Sequence, residues 1–100
     1  MDKIFKALSD INRRRIITML VKNGPMNVTQ IVENLPIGQS TTSTHLNMLK
    51  KAGLVEFLVN NRERIYKINK QTIKSFVQVI NEFFGSLESK DNVEIIVRRK

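Results

Sequence analysis

Cysteine is absent from the 100-residue sequence and histidine occurs only once. These two gaps exclude a disulfide framework, thiolate metal sites, thiol catalysis and a multi-histidine metal centre within one chain. Carboxylates alone remain as metal ligands, and they do not cluster, so no metal and no cofactor is expected. Long apolar runs are missing too. Nothing approaches the roughly 20 residues of a membrane span, and no signal-peptide type of apolar segment opens the chain. The expectation is a cytoplasmic protein without a membrane partner. Acid is the remaining scarcity: 9 Asp+Glu stand against 17 Lys+Arg, a formal charge of +8. Such a surplus attracts phosphate or acidic lipid, and the placement of the charge must decide between them.

Residues 1–50 carry seven Lys/Arg and three acids, and residues 51–100 carry ten and six. Neither half is a segregated tail, and no repeat or low-complexity stretch appears, so residues 1–100 are taken as a single domain. With 41% hydrophobic residues a core is within reach. A chain this short buries only about 60–70% of its unfolded surface, which makes a second subunit an early expectation.

Ile4, Phe5 and Leu8 fit one face of a short helix over residues 3–9. Asp10 is placed to cap a second helix whose apolar positions Ile16, Ile17, Met19, Leu20 and Val21 cover more than one face. Asn23-Gly24-Pro25 ends it. Asn27 then caps a third helix, with Gln30 at capping-box spacing, Ile31, Val32 and Leu35 as its stripe, and Pro36 closing it. The segment from Gln39 to Ala52 is rich in hydroxyl groups, which are mediocre helix formers, so packing of Leu46, Leu49 and Met48 must hold it. After Gly53, Leu54–Val59 and Arg64–Ile68 predict two strands around a charged tip, Asn60-Asn61-Arg62-Glu63. A last helix, capped by Asn69, is predicted over residues 70–87, with Ile73, Phe76, Val77, Ile80, Phe83, Phe84 and Leu87 on a wide apolar stripe.

That order predicts a mainly α fold with a small β-hairpin: a helix-turn-helix over 28–52, a wing over 54–68, and extra helices at both ends. At this point the sequence resembles the ArsR-type bacterial and archaeal transcriptional repressors over residues 3–84. Four blocks carry the resemblance in the right order. Phe5-Lys6-Ala7-Leu8-Ser9-Asp10 with Arg13, Arg15 and Ile16 is similar to the family's opening segment, and Gln39-Ser40-Thr41 with Ser43, His45 and Leu46 to its recognition helix. Leu49-Lys50-Lys51-Ala52-Gly53-Leu54-Val55 matches the exit into the wing, and Arg62 to Tyr66 the wing's return. There are departures. Ile11 stands where the family usually has proline, Gly38 replaces a serine cap, Thr42 occupies a position that usually packs an apolar residue, and Thr44 replaces a frequent Arg or Lys. The cysteines, histidines and acid pairs with which relatives sense metals are missing.

The candidate DNA-contacting residues are Gln39, Ser40, Thr42, Ser43, Thr44, His45 and Asn47 on the recognition helix, with Arg62 and Arg64 in the wing. Amide and hydroxyl groups suit base edges in the major groove, and guanidinium groups suit a minor groove or the backbone. For His45 the competing reading is a half-buried histidine bonded locally. Lys50, Lys51 and Lys67 are candidate phosphate neighbours, although a lone lysine is more often simply solvated. Arg13, Arg14 and Arg15 spread over about 200 degrees of helix and cannot all face one duplex; one is expected to pair with Asp10 or another acid. Ile4, Phe5 and Leu8, together with Phe76, Ile80, Phe83, Phe84 and Leu87, exceed what so small a domain can cover, and point to a two-fold homodimer through the terminal helices.

The expected function is therefore a dimeric, sequence-specific repressor. It would bind double-stranded DNA at an imperfect palindrome, with half-sites about 34–36 Å apart. The effector is unknown. An alternative from another class is an interaction module in which the winged helix docks a second regulator. An enzyme is not expected, because no carboxylate is matched to the histidine and no phosphate-binding glycine loop occurs. Residues 88–100 fall outside the resemblance; Val93, Ile95 and Val97 permit a short strand there.

Overall fold

A computed structural model of the chain describes residues 1–91, with side chains through residue 87. The elements run α1 (Asp2–Ala7), α2 (Ile11–Asn23), β1 (Met26–Asn27), α3 (Val28–Glu33), α4 (Gln39–Lys51), β2 (Val55–Asn60), β3 (Glu63–Ile68) and α5 (Lys70–Asp91). The segment Val93–Val97, whose pattern permits a strand, and the basic end Arg98-Arg99-Lys100 lie outside the described residues. The chain divides into two compact units, one of residues 1–70 and a second that begins at Gln71.

Local chemistry sets the helix boundaries in the first unit. The Asp10 carboxylate accepts from the backbone N–H of Asn12 at 2.8 Å and of Arg13 at 3.1 Å, which starts α2. Gly24 ends it at φ 76, a left-handed conformation suited to glycine, with its N–H on the Leu20 carbonyl at 3.0 Å. Asn27 and Gln30 form a reciprocal capping box at the start of α3. That helix stops at Glu33, short of the expected Pro36, and Leu35 is only half-buried. The α4 N-cap, Gly38, offers no side chain, and the Thr42 hydroxyl donates back to the Gly38 carbonyl at 2.8 Å, which meets the hydroxyl's own need for a partner and leaves the first N–H groups of α4 uncapped by any side chain.

The core joins one residue set from nearly every element of this unit: Ile4, Ala7, Ile16, Leu20, Met26, Ile31, Leu46, Leu49, Leu54, Val55 and Tyr66 are all buried. Within it α3 packs on α4, α1 and α2 both reach α4, and α2 also packs on β3. Val21, expected among the apolar positions of α2, is exposed instead, because one turn of helix cannot bury residues on opposite faces.

The sheet has three antiparallel strands in the order β1-β3-β2, one more than the expected hairpin. Met26 and Asn27 pair with Tyr66 and Ile65, so the residues that lead into α3 also cover an edge of the wing. Strands β2 and β3 pair continuously from Val55↔Ile68 to Asn60↔Glu63. The hairpin loop is thus two residues, Asn61 and Arg62, and not the expected four. Both have positive φ, 51 and 68, as a type I′ turn requires.

In the second unit, α5 extends past the expected end at Leu87 to Asp91. Phe76, Ile80, Phe84 and Leu87 are half-buried, whereas Val77, Val79 and Phe83 are exposed. The Phe83 and Phe84 rings meet edge to face, 5.4 Å between centroids.

Arg62 lacks glycine's freedom at φ 68. Replacing it by glycine relieves about 1–2 kcal/mol of left-handed strain and loses about 0.5–1 kcal/mol in chain entropy. Arg62→Gly is therefore expected to raise stability slightly in urea unfolding, and a clear loss would show that the arginine side chain holds the turn.

Candidate nucleic-acid interface

Helical spacing decides which side chains of α4 are presented together. Gln39, Ser40, Ser43, Thr44 and Asn47 are all exposed and line one shallow concave surface, an amide-and-hydroxyl face with no charge of its own. Thr44 Oγ donates to the Ser40 carbonyl at 3.2 Å, which leaves its methyl group and hydroxyl lone pairs on this surface.

Two of the residues expected on this face are elsewhere. Thr42 is 0% exposed: it fills the apolar position between α4 and the core, and its hydroxyl is spent on Gly38. It is removed from the DNA-contacting set. The His45 side chain is 13% exposed and belongs to a local network, which favours the competing reading of that residue. Its Nδ1 lies 3.0 Å from Arg13 Nη1. Arginine can only donate, so Nδ1 accepts and the ring proton sits on Nε2, which faces the Asp10 carboxylate at 3.7 Å.

Arg13 is the centre of that network. It is 8% exposed, and Nε donates to the Ala7 carbonyl at 2.6 Å, Nη2 to the Lys6 carbonyl at 3.3 Å and Nη1 to the Met48 sulfur at 3.3 Å, beside His45. The expected acid partner is thus replaced by backbone carbonyls and an imidazole, with Asp10 nearby as the countercharge. The other two arginines diverge: Arg14 donates to the Leu8 carbonyl at 2.8 Å and Arg15 to the Asn12 side chain at 3.0 Å. Partial burial works to raise the Asp10 carboxyl, but the backbone N–H groups of Arg13 and Asn12, then the facing His45 Nε2–H and the Arg13 charge, outweigh it and hold the group below its ordinary value.

In the wing, Arg62 occupies the turn and Arg64 stands on β3, opposite Val59. Strand alternation therefore does not place the two arginines on one side, as the spacing alone suggests. The Arg64 guanidinium carbon lies 4.5 Å from the centre of the Phe57 ring, and Lys50 Nζ lies 5.6 Å from it. Lys67 is paired with Glu56 at 3.8 Å. Sequence reasoning missed Phe57, although its place two residues after Val55 put it on the face shared with Arg64.

Of the expected dimer residues, Ile4 is 8% exposed, so its surface is already covered within the chain and it is withdrawn from the interface set. Phe5 and Phe83 are exposed, and Leu8, Phe76, Ile80, Phe84 and Leu87 are half-buried. Among the described residues no group of three or more His, Asp or Glu could hold a metal ion, and no helix is long and apolar enough to cross a membrane.

Comparison with known proteins agrees with this geometry. Residues 10–56 match the model of the arsR family of bacterial regulatory proteins. An HTH-type transcriptional regulator of Methanocaldococcus jannaschii is 38% identical over 80 residues, which cover 80% of this chain and 90% of the relative. The transcriptional repressor SdpR of Bacillus subtilis is 31% identical over 85 residues, 85% of this chain and 93% of that protein. A homodimeric winged helix-turn-helix DNA-binding domain from Mycobacterium bovis, described as a possible ArsR-family regulator, superposes with a TM-score of 0.68 at 26% identity. The match covers 90% of this chain and 83% of that one.

Because the Asp10 carboxyl is lowered in the folded chain, its charge stabilises the fold above the unfolded value near pH 4, and that contribution is lost as pH falls through the folded value. Asp10→Asn keeps a capping side chain and removes the charge. Acid unfolding followed by circular dichroism is expected to be shallower in the variant than in the native chain, and identical profiles would contradict the assignment.

Proposed function

Because the chain belongs to the arsR family of bacterial regulatory proteins, a family of DNA-binding transcriptional regulators and not of enzymes, we propose that it is a dimeric repressor of a palindromic operator. The observation that carries the proposal is the single exposed face of Gln39, Ser40, Ser43, Thr44 and Asn47 on α4. A helix of this diameter enters a major groove, where glutamine and asparagine recognise adenine edges and hydroxyl groups accept or donate as the base requires. Arg62 and Arg64 then reach the adjacent backbone or minor groove from the wing. Occupation of a promoter operator excludes the transcription machinery without any chemistry.

Dimerisation is part of the proposal. The exposed Phe5 and Phe83 and the apolar stripe of α5 leave surface that a second copy would cover, and the Mycobacterium bovis relative is homodimeric. Two-fold symmetry would set the reading helices about 34–36 Å apart, one turn of DNA. A cytoplasmic location follows from a target in the chromosome.

Selection of bound duplexes from random DNA, followed by footprinting, tests the proposal. The expected outcome is an imperfect palindrome whose affinity falls by about 10³–10⁵ between 50 and 200 mM salt, the loss associated with about 6–10 phosphate contacts. Gln39→Ala with Ser43→Ala is expected to remove sequence preference while leaving weak, salt-sensitive binding. A shallow salt dependence with no protected palindrome, combined with retained capture of another regulator, would instead favour the docking-module alternative.

A further inference from the structure

We propose that the Phe57 ring is a platform that holds Lys50 and Arg64 as one clamp for DNA backbone phosphate, which makes Phe57 a positioning residue for binding. The proposal rests on the DNA-binding reading above and adds a residue and a contact site to it.

Two cations from separate elements converge on one ring. Arg64 rises from β3 and Lys50 from the last turn of α4, with the guanidinium carbon 4.5 Å and the ammonium nitrogen 5.6 Å from the ring centre. Both distances lie within cation–π range. The ring itself is anchored: Phe57 is half-buried and packs at 5.2 Å between centroids on Tyr66, its cross-strand partner, which is buried.

Lys50 and Arg64 are themselves exposed. Among the described residues no carboxylate forms an ion pair with either, although the neighbouring Lys67 has Glu56. Bringing two positive groups to one ring without a local acid is electrostatically uphill, and an external anion reverses that cost.

Position identifies the anion. On α4, Ser40, Ser43, Asn47 and Lys50 follow at spacings of three, four and three, so Lys50 continues the stripe that carries the reading face. Arg64 lies on the wing strand, beyond the turn that carries Arg62. The clamp therefore sits where the reading helix and the wing meet, and a duplex strand passing between them offers a phosphate about every 3.4 Å of helix axis. The aromatic surface restrains two long side chains before DNA arrives, so less freedom is lost on capture.

The test measures affinity of the full chain for its selected duplex from about 50 to 200 mM salt, for Phe57→Leu, Phe57→Tyr, Lys50→Gln and Arg64→Gln. For Phe57→Leu the expected result is binding on the order of tenfold weaker, with a salt slope reduced by about 0.9–1.8, equivalent to one or two lost phosphate contacts. Phe57→Tyr, which keeps the ring, restores both. In the Phe57→Leu chain, adding Lys50→Gln or Arg64→Gln costs little more.

A folded Phe57→Leu chain with native slope and affinity overturns the clamp and leaves the repressor reading standing. A native chain without salt-dependent binding overturns both. Should Phe57→Leu fail to fold, the Lys50→Gln and Arg64→Gln cycle decides: strongly non-additive losses support a shared clamp, and losses that multiply to within about twofold refute it.

Discussion

A guanidinium withdrawn from water loses several kcal/mol of hydration unless its donors are met and its charge is balanced. Arg13 meets both conditions. Its donors end on two α1 carbonyls, on His45 and on Met48, and Asp10 supplies negative charge at the start of the same helix. Three helices are thereby tied at one point, and α4 cannot shift along its axis without separating His45 and Met48 from the arginine. The carbonyls of Lys6 and Ala7 lie at the C-terminal end of α1, where helical carbonyls lack intrahelical partners; Ser9 also donates to that of Lys6, and Arg13 Nε meets that of Ala7. One side chain thus caps one helix and fixes the register of another.

Such a tie matters because α4 is a poor helix in isolation. Its first half carries serines and threonines, which compete for backbone hydrogen bonds, and its N-cap glycine contributes no side-chain bond. Packing has to compensate. Leu46 and Leu49 are fully buried and Thr42 fills a third inward position, so the buried face sets the helix and the opposite face is released from structural duty. That division explains how five polar residues can stand exposed together on an element of low intrinsic stability.

The legible features were those written in local chemistry. Asp10, the Asn27–Gln30 box, Gly24 and Gly53 declared helix ends, and the β-branched and aromatic residues after Leu54 declared the wing. The missed features depend on contacts distant in sequence. The two-residue strand β1 exists only because Tyr66 and Ile65 lie alongside it, and two residues are too few to show a strand periodicity of their own. The motif around His45 leaves a DNA-facing and a locally bonded reading open, and an arginine 32 positions earlier claims the ring. Thr42 carried a contrary signal, standing where an apolar residue usually packs, and the structure uses it in that way. The turn is shorter than the polar run Asn60–Glu63 suggests, because Asn61 and Arg62 both adopt the left-handed conformation and Asn60 and Glu63 pair as the last rung of the ladder.

The surplus of positive charge takes on a different meaning once each arginine has been located. Arg13 is consumed internally, Arg14 and Arg15 bond to neighbouring groups of their own segment, and Lys67 has an acid partner. The cations proposed to meet DNA beside the uncharged face are Lys50 at the last turn of α4 and Arg62 and Arg64 in the wing, none of them on that face itself. Arg62 is held there at φ 68 despite a left-handed cost of about 1–2 kcal/mol, a strain that a turn selected only for stability would have removed with glycine. On the proposed function these two sets contribute different quantities. Phosphate contacts set affinity and its dependence on salt, whereas hydrogen bonds from amides and hydroxyl groups set preference among sequences. With the two sets on separate residues, affinity for any duplex can change through the wing without altering which bases are chosen.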